Sequence, residues 1–138
     1  MPAALLDTNI LLYAISSSPD EAGKRHIARE LLSGADWGLS IQVLQEFYVN
    51  ATRGVTPAMS HTLAEAAIRQ LLLRPLAVND AALMLNALDL KQRYQLSFWD
   101  AAILAAARIL GASVVYSEGL NHGQDYAGVR VINPFAQA

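Results

Sequence analysis

The hydrophobic positions of this 138-residue chain change their period along its length, and each change marks a new element. Ala3-Ala4-Leu5-Leu6 is a short unbroken apolar run closed by Asp7, the pattern of a strand buried on both faces. Asn9 to Ile15 reads as a helix, and Ser16-Ser17-Ser18-Pro19 as a loop. From Asp20 to Leu32, Ile27, Leu31 and Leu32 share one helical stripe while Lys24, Arg25 and Arg29 fall elsewhere, and Gly34 ends the run. Trp37 to Leu39 predicts a second strand, after which Ser40 caps a helix to about Thr52. Thr56-Pro57 predicts the start of another helix, since proline is tolerated in a first turn; it runs to Leu73 and stops before Pro75. Leu76-Ala77-Val78 is a third strand candidate.

Asn79 or Asp80 caps a helix to about Tyr94, and Ser97 to Leu110 is the most apolar helix, terminated by Gly111. Ser113 to Tyr116 and Val129 to Ile132 are the last strand candidates, and Asn121-His122-Gly123-Gln124 between them reads as a plain loop. Strands alternating with helices predict an α/β fold with a parallel sheet covered on both faces. No repeat, linker or low-complexity tract interrupts the pattern, so residues 1–138 are expected to form a single domain.

Composition changes this picture in a few places. Hydrophobic residues at 54% and charged residues at 16% supply a core and argue against disorder. The absence of cysteine excludes a disulfide framework, a thiolate zinc site and a cysteine nucleophile, and fits an expected cytoplasmic location. No basic segment precedes Asp7, so the start does not read as a signal peptide, and the apolar run Ala101–Ala107 is too short to cross a bilayer. No membrane partner is expected. The formal charge is −2, whereas proteins that hold nucleic acid by bulk electrostatics are usually basic. Any nucleic-acid contact is therefore local or runs through bound metal.

Three carboxylates stand where a packed fold would prefer other residues. Asp7 follows the first buried strand, and ligands of open parallel sheets bind beyond the carboxyl ends of strands; a turn or cap role is the plain alternative. Asp100 is the only charge between Gln95 and Ala107, and Ser97-Phe98-Trp99-Asp100 also fits a capping box. A carboxylate in a first turn is favoured by the helix dipole, so capping and metal binding are compatible. Glu46 sits within Ile41-Gln42-Val43-Leu44-Gln45-Glu46-Phe47-Tyr48, where a solvated helix face is the plain alternative. Together these acids suit Mg²⁺, which takes oxygen ligands, usually one or two carboxylates completed by water and substrate phosphate. His26, His61 and His122 lack metal-ligand spacing, and neither a Ser-His-acid order nor a Gly-rich phosphate loop is present.

These residues carry a resemblance. Leu6-Asp7-Thr8-Asn9-Ile10-Leu11-Leu12-Tyr13, Gln45-Glu46-Phe47, Ser97-Phe98-Trp99-Asp100-Ala101 and Tyr116-Ser117-Glu118 together resemble a PIN domain, most closely the VapC-type toxins of bacterial toxin–antitoxin pairs. The likeness runs the whole length, ending in Val131-Ile132-Asn133-Pro134-Phe135. It implies a three-layer fold with about five parallel strands, Mg²⁺-dependent endoribonuclease activity with Mn²⁺ as an alternative, RNA as substrate, a homodimer and a cognate antitoxin. It further implies that Asp7 and Asp100 hold the metal, that Glu46 is the third acid, and that Thr8 or Asn9 and Ser117 brace ligands or waters. Relatives often carry an acid two residues after the position of Ser117, and here that residue is Gly119. Glu118 points elsewhere if the segment is extended, and Asp125 is a distant candidate.

Other readings stay open at this stage. A phosphatase with Asp7 as nucleophile would place a second Asp two residues on, where this chain has Asn9. A catalytically weak PIN domain serving as a binding module is the other. Lys24, Arg25, Arg29, Arg53, Lys91 and Arg93 are the basic candidates for substrate contact.

Overall fold

The short apolar runs become the strands of one sheet, and the amphipathic runs become the helices that cover it. The computed structural model describes residues 1–136. In chain order the elements are β1 (Ala4–Leu6), α1 (Thr8–Ala14), a 3₁₀ turn (Pro19–Glu21), α2 (Ala22–Ser33), β2 (Trp37–Ser40) and α3 (Ile41–Ala51). After them come α4 (His61–Leu71), β3 (Leu76–Ala77), α5 (Ala81–Tyr94), α6 (Phe98–Leu110), β4 (Val114–Tyr116), β5 (Asp125–Tyr126) and β6 (Val129–Ile132).

The sheet order is β3-β2-β1-β4-β6-β5. The five strands from β3 to β6 run parallel, as the sequence predicts, and β5 adds a short antiparallel edge that the sequence reading leaves as loop. Ala127 and Gly128, both at positive φ, turn the chain between β5 and β6. The sheet is wound outward from β1, with β2 on one side and β4 on the other. That reversal leaves a crevice beyond the end of β1, where open α/β sheets bind their ligands.

Helix α6 is buried from Ala101 to Ala107. Its alanines let the helix lie close to the sheet, and Ile103 and Leu104 add bulk to the core. Gly111 ends it in the left-handed conformation at φ 74°, as the sequence predicts. The helix expected from Thr56-Pro57 begins instead at His61. Ser60 accepts a hydrogen bond from the Leu63 N–H at 3.2 Å, and the Met59 N–H ties back to the Ala51 carbonyl at 3.0 Å. A side-chain cap and this return contact define the start better than a proline does. Val78 falls outside β3, and Asp20 belongs to the 3₁₀ turn that precedes α2.

Candidate active site

Asp7 reaches the crevice because β1 is short and fully buried, so the first polar residue after it emerges at the sheet's end. The Asp7 N–H still bonds to the Tyr116 carbonyl at 3.0 Å, extending the β1–β4 ladder by one step. That registration sets Ser117, the residue after β4, beside Asp7. The Ser117 hydroxyl donates to Asp7 Oδ2 at 2.7 Å, while Oδ1 caps α1 by accepting from the Thr8 N–H at 2.7 Å. Capping and site placement are thus the same geometry. Ser117 is fully buried, so its hydroxyl is fixed toward Asp7.

Burial is the main influence on Asp7 and pushes its carboxyl above the ordinary range. The bonds from Ser117 and Thr8 work against that rise, and the nearby Glu46 and Asp100 carboxylates add to it. Asp7 is therefore within electrostatic reach of both other acids.

Glu46 comes from the second turn of α3, which Ser40 starts by accepting from the Val43 N–H at 3.2 Å. Gln42, one turn earlier on the same face, donates to Glu46 Oε1 at 2.8 Å. Asp100 comes from the first turn of α6, where Ser97 Oγ accepts from the Asp100 N–H at 3.1 Å. Only this half of the capping box forms. Among the described residues the reciprocal bond from Ser97 N–H to the Asp100 carboxylate is absent, and the carboxylate lines the crevice instead.

Asp7, Glu46 and Asp100 share a cavity of about 260 Å³ with Thr8, Asn9 and Gln42. Asn50 and Trp99 line it too, as do the apolar Leu12 and Ile103. The salt bridges among the described residues involve none of the three acids. Thr8 Oγ1 is a buried hydroxyl oxygen with no hydrogen-bond partner among the described residues, and it belongs to a residue on the cavity wall. Among the described residues no three acidic or histidine side chains close to a spacing that would chelate an ion unaided. A hard cation that keeps water and phosphate in its shell fits this open set of oxygens, whereas an all-protein cage does not.

Of the other sequence candidates, Asn9 is at the cavity and most of the rest lie elsewhere. Asn9 lines the cavity, and its Oδ1 accepts from the Glu118 N–H at 3.3 Å, so no second acid stands there for a phosphatase. Glu118 turns to Lys24 and Tyr13, each at 2.5 Å. Asp125 is on the exposed edge, accepting from the Gly128 N–H at 2.9 Å. Gly119 has no positive φ, and a Cβ there would meet only Ser117 Oγ at 3.9 Å. Of the basic candidates, Arg25 holds the Ser16 carbonyl and Arg29 the Ala14 carbonyl, at 2.8 and 2.9 Å. His26 and His61 pair with Glu30 and Glu65 one helical turn away, and His122 accepts from the Asn133 N–H at 2.9 Å.

Sequence reasoning missed Gln42, Asn50 and Trp99 as site residues. Gln42 was legible as the residue four before Glu46. Trp99 was legible as a large aromatic directly before Asp100.

A short-stranded parallel α/β sheet with acids converging at its switch point defines the class, and the comparisons agree with it. The PIN domain family model matches residues 4–122, and the chain belongs to that family. A toxin–antitoxin complex from Klebsiella pneumoniae is similar at TM-score 0.69 and 22% identity, covering 96% of this chain and 98% of that one. FitAcB from Neisseria gonorrhoeae is similar at TM-score 0.71 and 18% identity, with 96% and 99% covered. Mycobacterium tuberculosis VapC20, a sarcin-ricin loop cleaving toxin, is similar at TM-score 0.65 and 22% identity, with 83% and 88% covered. At these identities the likeness is one of fold. No curated protein sequence matches the chain. Among the described residues no helix is long and apolar enough to cross a membrane.

Proposed function

We propose that this PIN domain is a metal-dependent endoribonuclease and the toxin of a toxin–antitoxin pair. The observation that carries the reading is the convergence of Asp7, Glu46 and Asp100, from three separate elements, on one crevice without a salt-bridge partner among the described residues. Asp7 and Asp100 would hold Mg²⁺ or Mn²⁺, with Glu46 bound directly or through water. A metal so held neutralises charge on a phosphodiester and lowers the pKa of a bound water, which is what hydrolysis of RNA requires. Ser117 fixes the Asp7 carboxylate by its hydrogen bond, and Gln42 fixes Glu46.

The partner part of the reading is supported by similar proteins described as toxin–antitoxin complexes, among them a DNA-bound VapBC from Salmonella typhimurium. Exposed apolar side chains such as Leu63, Leu73 and Leu85 provide surface for a homodimer and an antitoxin. The antitoxin should present arginine to the acidic crevice, because guanidinium matches carboxylates bidentately.

Purified protein incubated with total RNA, with Mg²⁺ or with EDTA, tests the activity when the new 5′ ends are sequenced. Defined ends that need Mg²⁺ are expected; the absence of cleavage refutes the reading. Copurification with the product of the neighbouring reading frame tests the pair. Gly119, in the place of a frequent fourth acid, favours a second reading as a catalytically weak binding module. A metal titration of nuclease activity separates the two.

A further inference from the structure

Three cavities meet at two side chains, Gln42 and Trp99, and the first of them holds all three acids. The two tryptophans of the chain are used in opposite ways. Trp37 is 7% exposed, donates its indole N–H to the Gly34 carbonyl at 2.8 Å, and lies 3.7 Å from the Arg74 guanidinium. Trp99 is 64% exposed, and its indole N–H has no acceptor among the described residues. Its ring meets Phe98 edge-on at 5.3 Å, leaving ring surface open to solvent directly beside Asp100. A tryptophan in this state adds little to the core.

The second cavity, of about 160 Å³, has Leu83, Met84, Phe98 and Ala102 as apolar walls, with Trp99 among them. Asn79, Asp80 and Gln42 supply its polar groups. One oxygen of Asp80 caps α5 by accepting from the Leu83 N–H at 2.9 Å. The Asn79 amide makes no hydrogen bond among the described residues. The occupant that matches is flat and apolar on its faces and carries donors and acceptors on its edge. A nucleobase has that chemistry.

We propose that Trp99 is a stacking platform for an unpaired base next to the scissile phosphate, with Asn79 and Asp80 meeting the base edge. This deepens the nuclease reading above and rests on it. Charge points the same way. With a net charge of −2 and three acids in the crevice, the chain lacks the bulk positive charge that holds RNA by its phosphates, so contacts other than bulk electrostatics have to contribute. Stacking on an aromatic ring is independent of net charge and tolerant of sequence. Bases inside an A-form duplex are stacked and out of reach, so the platform requires an unpaired nucleotide.

The test pairs cleavage kinetics with Trp99 fluorescence. A short single-stranded RNA, its duplex, and a copy with one abasic nucleotide at the cleavage position are the probes. Trp99→Ala should raise KM about tenfold to a hundredfold, the range of losing one stacked base, with a smaller change in kcat. Trp99→Phe should recover most of that loss. In EDTA the single strand should quench tryptophan emission, and the duplex and abasic RNA should not. Cleavage with KM unchanged in Trp99→Ala, or duplex cut as readily as single strand, overturns the inference and leaves the nuclease reading standing. A dimer that Trp99→Ala splits without changing KM assigns the ring to a protein contact and also overturns it. If the unmodified protein cuts no RNA, the nuclease reading falls; the inference then falls with it unless single-stranded RNA alone quenches.

Discussion

Two acidic regions flank the paired ends of β1 and β4, and their surroundings differ. On one side Glu118 is tied to Lys24 and Tyr13, each at 2.5 Å, while Lys24 also lies 4.9 Å from the Tyr13 ring and 5.7 Å from the Phe135 ring. This knot joins α1, α2, the segment after β4 and the C-terminal segment. On the other side Asp7, Glu46 and Asp100 share a cavity, and among the described residues no basic group is in salt-bridge contact with them. Both regions hold carboxylates near strand ends, but only the first contains its own cation. The difference teaches that an acid's partners, more than its position, distinguish a fastening from a group left open to a ligand. A carboxylate group assembled without a counter-charge is costly unless an external cation completes it.

The largest expected effect comes from breaking the unpaired side. Asp7→Asn and Asp100→Asn should each lower Mg²⁺-dependent RNA cleavage by at least about a hundredfold, the scale of removing one preorganised electrostatic group. Circular dichroism should stay native. Next is Ser117→Ala, which removes the donor to Asp7 Oδ2 without touching any acid. Loss of such an orienting bond should cost about 10–100-fold in metal affinity or activity, read as a shifted Mg²⁺ activation curve.

Gly119→Asp sharpens the comparison in the other direction. Because Gly119 needs no positive φ and its Cβ would meet only one oxygen at ordinary contact distance, the change should fold normally and tighten Mg²⁺ binding by a few-fold. Isothermal titration reads it. Glu118→Gln should have the smallest effect, with activity near that of the unmodified protein and a small drop in Tm. Its pH dependence has a definite sign. Burial acts to raise the Glu118 carboxyl, but the bonds from Lys24 and Tyr13 and the Lys24 charge outweigh it and hold the group below its ordinary 4.5. The folded state therefore prefers the charged form, and this stability is present above 4.5 and lost as pH falls through the lower folded value. Melts across acidic pH should show a shallower decline in Glu118→Gln.

Much of this was legible in the sequence because it is local. An unbroken apolar run ending in Asp7, a serine three residues before Asp100, and Gly111 after a run of alanines each fix structure within a few residues. The parallel α/β sheet followed from strands alternating with helices, and the count of about five strands was also implied by the family resemblance. The parts that escaped depend on distant partners. The start of α4 was set by Ser60 and by a bond back to Ala51, and β5 exists only because it pairs with β6. Gln42 and Trp99 reached the site because α3 and α6 meet there, which no periodicity reports. Ser117 beside Asp7 was suggested by family resemblance, and the β1–β4 ladder supplies its physical reason.

The central claim is that the unpaired acids, and not the Glu118 knot, take up a divalent cation. Thermal melts of the unmodified protein, Asp100→Asn and Glu118→Gln, each with EDTA and with saturating Mg²⁺, test it most directly. Mg²⁺ at about 100 times its dissociation constant should stabilise the unmodified protein by roughly 2.7 kcal/mol. For a chain of this size that is a rise in Tm on the order of 10 °C. Glu118→Gln should show the same rise, and Asp100→Asn much less. Equal rises in all three proteins, or none in the unmodified one, would contradict the account.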